Sequence, residues 1–222
     1  MQEPVISLHA DSYTRYVPSE EIFIQKAADL EREFRVWFDG IIKSQDSIGV
    51  FSLAPQPLLF KLGTLINDRH NTVAFQCHRT GHKWAWPTNS EAVDFKFSCS
   101  KDGNNDKIAL VIDLSAPVMD DRITGVLGDD CRIFHITLDN PCRTFVTSEK
   151  IQDDFVKAFR ESMEHIKNLR PAPNAIHLFP VMPNSLVIKA GMDYMPKADL
   201  PIILYEQSRQ DDGFFETITI GG

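Results

Sequence analysis

The sequence has little cysteine and no long apolar run. Its 222 residues include four cysteines, none in C-x-x-C spacing, so we expect free thiols rather than a disulfide framework. No stretch approaches the roughly 20 apolar residues of a membrane helix. The N-terminus MQEPVISLHADSY lacks the basic-then-apolar pattern of a signal peptide. We therefore expect a cytoplasmic protein with no membrane partner.

The chain also lacks an excess of positive charge. It carries 23 Lys and Arg against 31 Asp and Glu, a formal net charge of −8. This balance disfavours a protein that coats long nucleic acid, because such a protein needs a basic face to displace counterions from phosphates. A small anionic ligand in a local basic pocket stays possible.

Familiar catalytic motifs are absent as well. The sequence contains no G-x-S-x-G, G-x-x-x-x-G-K-[ST], G-x-G-x-x-G or H-E-x-x-H motif. Cys77, His78 and His82 are too few, at the wrong spacing, to predict a metal site. The acidic pairs at 120–121 and 129–130 are interpreted as solvated loop carboxylates. We expect a binding protein without catalytic residues, metal or cofactor.

An internal repeat dominates the sequence that is present. Residues 48–63 read IGVFSLAPQPLLFKLG and residues 176–191 read IHLFPVMPNSLVIKAG, at a constant offset of 128. Each copy follows an amphipathic helix pattern and precedes a further strand pattern. The identical pairs are Ile48/Ile176, Phe51/Phe179, Pro55/Pro183, Leu58/Leu186, Lys61/Lys189 and Gly63/Gly191.

This order predicts an α/β fold of two pseudo-symmetric halves, residues 1–104 and 105–222. Each repeat is interpreted as a strand, a proline-containing turn and a short helix, with Gly63 or Gly191 as a left-handed C-cap. Strands at 94–100 and 215–220 are expected to close the two halves.

The turns of the repeat are the first candidate site. In α/β sheets, ligands bind beyond the carboxyl ends of strands, where helix N-termini favour anions. Residues 52–57 and 180–185 occupy that position, and Gln56, Asn184 and Ser185 add hydrogen-bonding groups. Alternatively these turns only begin helices. Lys61 and Lys189 either reach a phosphate or lie on a solvated helix face.

A basic aromatic segment is the second candidate. Residues 69–90 contain no Asp or Glu but include Arg79, Lys83, Trp84 and Trp86. Arginine and lysine pair with phosphates, and tryptophan stacks on bases. Alternatively both tryptophans pack in the core. The matching part of the second half, 205–207, offers groups for base edges or ribose, or is only a polar strand end.

These segments resemble the SAVED domains, cyclic-oligonucleotide sensors of bacterial CBASS anti-phage systems. The resemblance rests on FSLAPQPLLFKLG, HLFPVMPNSLVIKAG and the later LYEQ, and it extends over most of the chain. It implies two fused CARF-like, Rossmann-type halves. It also implies a cyclic di-, tri- or tetranucleotide ligand made by a partner nucleotidyltransferase, with homo-oligomerisation on binding.

The resemblance implies an effector too, such as a nuclease, TIR or protease domain. We expect the effector either in a separate, associated protein or in the rest of a longer protein from which this chain is an excised sensor domain. The leading hypothesis is a sensor of an adenine-containing cyclic tri- or tetranucleotide. The alternatives are a ring nuclease that cleaves cyclic oligoadenylate and a purely architectural protein. The predicted ligand contacts are Ser52, Pro55, Gln56, Arg79, Lys83, Trp84, Trp86, Pro180, Pro183, Asn184, Ser185, Tyr205, Glu206 and Gln207.

Overall fold

Five helices and eight strands form in the described part of the chain. The computed structural model describes residues 19–67, 71–78, 83–87, 92–208 and 213–222. No helix within these ranges is long and apolar enough to cross a membrane. The helices are α1 (Glu20–Gly40), α2 (Gln56–Ile66), α3 (Asp120–Leu127), α4 (Glu149–Lys167) and α5 (Asn184–Asp193). The strands are β1 (Ser47–Phe51), β2 (Asn71–Phe75), β3 (Lys96–Lys101), β4 (Asn104–Ile112), β5 (Cys131–Thr137), β6 (Ile176–Pro180), β7 (Ile202–Gln207) and β8 (Phe214–Ile220).

A six-stranded sheet forms the centre of the molecule. Its order is β3-β5-β4-β6-β7-β8, with four parallel inner strands and an antiparallel strand at each edge. The end of β4 reads IALVI and is fully buried, as expected for a parallel strand covered on both faces. The predicted α/β class is confirmed. The strand predicted at 94–100 is β3, but it pairs with β5 of the larger sheet instead of closing the first half.

The two copies of the repeat adopt the same β–α–β topology. β1 and β2 form a separate parallel pair, and β6 and β7 pair in parallel within the larger sheet. Pro55 and Pro183 precede their helices with nearly identical backbone angles, φ −57° and ψ 144° against φ −58° and ψ 140°. The division of the chain after residue 104 stays a prediction.

Gly63 and Gly191 lie where α2 and α5 cross. A Cβ on Gly63 would stand 2.3 Å from the carbonyl oxygen of Ile188, and one on Gly191 would stand 2.2 Å from that of Phe60. The expected C-cap role is therefore wrong. α2 continues to Ile66 and is followed by Asn67 at φ 49°. Glycine is needed here because the two backbones approach too closely for any side chain.

Helices cover the faces of the larger sheet unequally. α1, α2, α4 and α5 contribute to one extensive apolar core, whereas α3 packs on the opposite face through Ile123 and Leu127. The carboxylates at 120–121 were expected in a loop but form the first turn of α3. There they interact favourably with the positive end of the helix dipole.

Candidate functional site

The two proline-containing loops, 52–57 and 180–185, meet at the carboxyl ends of β1 and β6, and this region is called the edge below. The side-chain amide of Gln56 donates a hydrogen bond to the Met182 carbonyl oxygen at 2.8 Å. The amide of Asn184 donates to the carbonyl oxygen of Ser52 at 3.3 Å. The amides that match in the repeat thus each bond to the loop of the opposite half, and they hold the two loops together.

Each helix of the repeat is capped at its N-terminus by a side chain from the other half. Gln76, directly after β2, accepts hydrogen bonds from the backbone N–H (3.3 Å) and the hydroxyl (2.9 Å) of Ser185, at the start of α5. Glu206, near the end of β7, accepts one from the backbone N–H of Gln56 at 3.2 Å, at the start of α2. A carboxylate therefore occupies the positive end of α2, while a neutral amide occupies that of α5.

Four aromatic rings cluster where β1 and β2 end. Phe51 and Phe75 stack with ring centroids 4.5 Å apart and planes within 2°. Trp84 meets Phe51 edge-on at 5.4 Å, and Trp86 lies over Phe75 at 6.0 Å. Both tryptophans are half-buried. Trp86 packs against the main core, as the core interpretation expected, whereas Trp84 lies with the exposed ring of Phe51.

Three buried polar atoms near these rings and loops have no hydrogen-bond partner among the described residues. They are the hydroxyl oxygen of Ser52, Nε2 of His78 and the indole nitrogen Nε1 of Trp86. Burial lowers the pKa of His78, so its ring is favoured in the neutral form. Unpaired buried polar atoms are costly, and they are commonly found where a ligand or water completes the bonding.

The repeat lysines bind carboxylates on the long helices. Lys61 Nζ lies 2.7 Å from Glu31 of α1, and this hydrogen bond lowers the pKa of Glu31. Lys189 Nζ lies 4.0 Å from Asp153 of α4. These contacts favour a role in packing the repeat helices against α1 and α4.

Of three further predicted contacts, one is buried in the sheet, one is exposed and one lies outside the described part of the chain. Tyr205 is 2% exposed, and its hydroxyl donates to Glu216 (3.3 Å) and lies 2.9 Å from His177 Nδ1. Burial raises the pKa of this hydroxyl. The side chain therefore belongs to the sheet's packing. Arg79 lies outside the described residues, and Lys83 is exposed.

A buried histidine between two aspartates was missed in the sequence. His135 of β5 places Nδ1 3.3 Å from Asp113, which follows β4, and Nε2 3.0 Å from Asp120 of α3. Burial lowers the pKa of the imidazole, but the hydrogen bonds and charges of the two aspartates raise it above its usual value. The interpretation of the carboxylates at 120–121 as solvated loop groups is therefore wrong for Asp120, which pairs with His135 from the first turn of α3.

Comparison with protein-family profiles identifies the family of this chain. The profile of the SAVED family, described as the SMODS-associated and fused to various effectors sensor domain, matches residues 30–220. The chain belongs to the SAVED family. The resemblance found in the repeat motifs is thereby confirmed.

Solved structures show the same fold. Two are the Acinetobacter baumannii Cap4 SAVED/CARF-domain containing receptor. Its structure with the cyclic trinucleotide 2′3′3′-cAAA matches this chain with a TM-score of 0.65 and 13% identity, over 89% of this chain and 44% of that one. With 3′3′3′-cAAA the TM-score is 0.65 at 11% identity, over 98% and 50%. The Moraxella osloensis Cap4 receptor gives 0.58 at 13% identity, over 89% and 42%. This SAVED domain thus spans half or less of these receptors, and no curated protein sequence matches it.

The edge of this SAVED domain gathers residues that lie far apart in the sequence. Five predicted contacts surround the two loops: Ser52, Gln56, Asn184, Ser185 and Glu206. Phe51, Phe75 and Gln76 were not predicted. Their only sequence signal is their place at the carboxyl ends of two apolar strands, which is where ligand-binding residues collect in α/β folds.

Proposed function

We propose that this SAVED domain binds an adenine-containing cyclic tri- or tetranucleotide across the edge formed by its two loops. Binding promotes self-association and thereby activates an effector that is fused to the domain or associated with it. A partner nucleotidyltransferase supplies the ligand. The observation that carries the proposal is the pair of matched loops that bring both helix N-termini together beside buried polar atoms that have no partner among the described residues.

The chemistry of the edge fits a nucleotide. The Trp86 indole N–H, the Ser52 hydroxyl and the neutral His78 ring offer donors and acceptors to the edge of a base. The aromatic rings beside them offer stacking surface, and the exposed Lys83 offers a phosphate partner. The cyclic trinucleotides in the Acinetobacter receptors support this ligand class.

The two helix N-termini are unequal sites for phosphate. The α2 end already faces the carboxylate of Glu206, which repels an incoming anion. The α5 end faces the neutral amide of Gln76. We infer that a phosphate binds first at the α5 end, and that a second phosphate at the α2 end displaces Glu206.

The test is calorimetric titration with a panel of cyclic di-, tri- and tetranucleotides, with linear triadenylate as the control. We expect saturable binding of at least one cyclic compound and none of comparable strength for the linear one. Chromatography of the ligand after long incubation should recover it intact, since we propose a sensor and not a ring nuclease. A panel in which no compound binds would refute the proposal.

Two variants locate the site. Lys83→Glu reverses a charge at the edge, and Trp86→Phe removes the indole N–H but keeps a ring. Each is expected to weaken binding about tenfold, equivalent to roughly 1.4 kcal/mol. The matched control is Lys150→Glu, the same charge change on α4 at a side chain 78% exposed, which should leave affinity unchanged. Equal losses in all three variants would argue against this site.

A further inference from the structure

A glutamine inside the core leaves its side-chain oxygen unused. Gln152 of α4 is 0% exposed, and its amide nitrogen donates a hydrogen bond to the carbonyl oxygen of Ala74 in β2 at 2.7 Å. Its oxygen, Oε1, is buried and has no hydrogen-bond partner among the described residues. Such an atom is destabilising in a core, so packing alone does not explain why a glutamine occupies this position.

The bond from Gln152 takes the place of a strand beside β2. At the repeat offset of 128, Ala74 corresponds to Ile202 of β7, and Ile202 pairs with Ile220 of the edge strand β8. Among the described strands, β2 pairs with β1 alone. Gln152 therefore holds the end of β2 at a point where β7 is held by β8.

β2 leads directly into the side chain that caps α5. Gln76 is 8% exposed, and its Oε1 accepts hydrogen bonds from the backbone N–H and the hydroxyl of Ser185. In the proposed function the first phosphate binds at this N-terminus, where its oxygens need the same donors. The phosphate must therefore displace the side chain of Gln76. The displaced amide then needs a new partner in a buried place, because leaving it without one would weaken binding.

We propose that Gln152 is a positioning residue for the ligand, and that its unused Oε1 accepts the amide of Gln76 when phosphate displaces Gln76 from α5. Gln76 lies two residues beyond Ala74, to which Gln152 is already bonded, so the Cα atoms of these two positions are at most about 7 Å apart. The new hydrogen bond pairs both amides and offsets the cost of the displacement. This inference rests on the proposed function and assigns a residue outside the loops that adjusts the affinity of the same site.

The other half of the repeat has neither of these amides. At the offset of 128, Gln76 corresponds to Leu204 and Gln152 to Ile24. The offset also holds in the long helices, because the buried residues of α1 correspond to buried residues of α4. The two glutamines therefore occur together in one half and are absent together from the other, as expected for side chains that act as a pair.

The test is a double-mutant cycle, with affinity measured by calorimetric titration of the whole chain. The panel of cyclic di-, tri- and tetranucleotides is titrated into the wild type first, and the compound that binds most tightly serves for the variants. Gln152→Met removes the acceptor but keeps a side chain of similar length, and it should weaken binding about fivefold, the effect of one lost hydrogen bond. Gln76→Met removes the oxygen that the phosphate must displace, so binding should become severalfold tighter.

The cycle separates positioning from a purely structural role. In the Gln76→Met background there is no amide to accept, so Gln152→Met should change affinity less than about twofold. The matched control is Ser162→Ala, because Ser162 is also fully buried in α4 but its hydroxyl bonds to the Ala158 carbonyl oxygen of the same helix. This control should keep the wild-type affinity. In the wild type, the nuclear Overhauser contact between the side-chain amide of Gln76 and Gln152 should strengthen when ligand is added, which tests the proposal even where Gln152→Met fails to fold.

Three results would overturn this inference while leaving the proposed function intact. The first is ligand affinity that Gln152→Met does not change. The second is an equal loss from Gln152→Met in both backgrounds, which would make its role purely structural. The third is an Overhauser contact that stays the same in the complex. If no cyclic nucleotide binds the wild type, the proposed function and this inference fail together.

Discussion

Alanine at Gly63 tests how closely the two repeat helices must approach. In the structure, the added Cβ would lie 2.3 Å from the carbonyl oxygen of Ile188 and 2.9 Å from the Cα of Gly191. Both obstacles are backbone atoms, so no side chain can rotate away. The helices must separate by about 1.1 Å, from 2.3 Å to 3.4 Å, to restore an ordinary van der Waals contact.

The expected effect is opposite to the usual one. In a helix, alanine is normally better than glycine by about 1 kcal/mol. Overpacking a core costs about 1–3 kcal/mol, and separation of α2 from α5 also loosens fully buried neighbours such as Phe60 and Ile188. Because backbone atoms lie on both sides of the contact, we take the upper end of the overpacking cost, about 3 kcal/mol. Subtracting the gain of about 1 kcal/mol from alanine in a helix leaves an expected net loss of about 2 kcal/mol in the free energy of unfolding. For a chain of this size that corresponds to a fall of about 4–8 °C in Tm.

Urea denaturation followed by circular dichroism measures this loss. Gly125→Ala is the matched control, since Gly125 lies within α3 and a Cβ there would meet nothing within 4 Å. The free energy of unfolding of this control should rise by up to about 1 kcal/mol. Gly191→Ala should behave like Gly63→Ala, and the double variant should lose less than the two together, because one separation accommodates both methyl groups. If Gly63→Ala unfolds at the same urea concentration as the wild type or a higher one, the close crossing is refuted.

Three further predictions concern charged groups. The fold raises the pKa of His135 above 6.5, so its protonation stabilises the protein fully below about pH 6.5. This contribution is lost as pH rises through the folded pKa, and Tm should fall with it. His135→Gln should make that fall of Tm with pH less steep. Arg160 bonds two aspartates of the α5–β7 segment, and Arg160→Met should cost roughly 3 kcal/mol in urea denaturation, whereas Lys150→Met, which removes an exposed ion pair, should cause no measurable loss. Glu206→Gln keeps an oxygen that can cap α2 but removes its charge, so calorimetry should find nucleotide binding severalfold tighter; weaker binding would indicate that the carboxylate itself holds the ligand.

The sequence predicted the fold class because strand and helix periodicity are local properties. The offset of 128 between the repeat copies also predicted which loops are equivalent, and the shared angles of Pro55 and Pro183 agree with that. α3 was missed because it has eight residues and only two apolar side chains directed to the core, Ile123 and Leu127. So short a pattern is indistinguishable from a loop.

The roles of individual residues were harder to predict from the sequence. Glycine is required both at a left-handed C-cap and at a close helix crossing, so the sequence alone could not separate these roles for Gly63. Gln56 and Asn184 were singled out as hydrogen-bonding groups in equivalent turns. Their partners, however, are carbonyl groups of the opposite loop, more than 120 residues away, and only the folded chain brings them into contact.

By itself, the sequence determined a duplicated α/β fold, because the repeat and its hydrophobic pattern are properties of consecutive residues. Tertiary structure decided what each copy does. Phe51 and Phe179 occupy the same position in the repeat, yet one is 57% exposed and the other fully buried. The difference is α3, which stands over one copy and has no described counterpart over the other. Exposure depends on which elements pack together in space, and a repeat in the chain does not specify that.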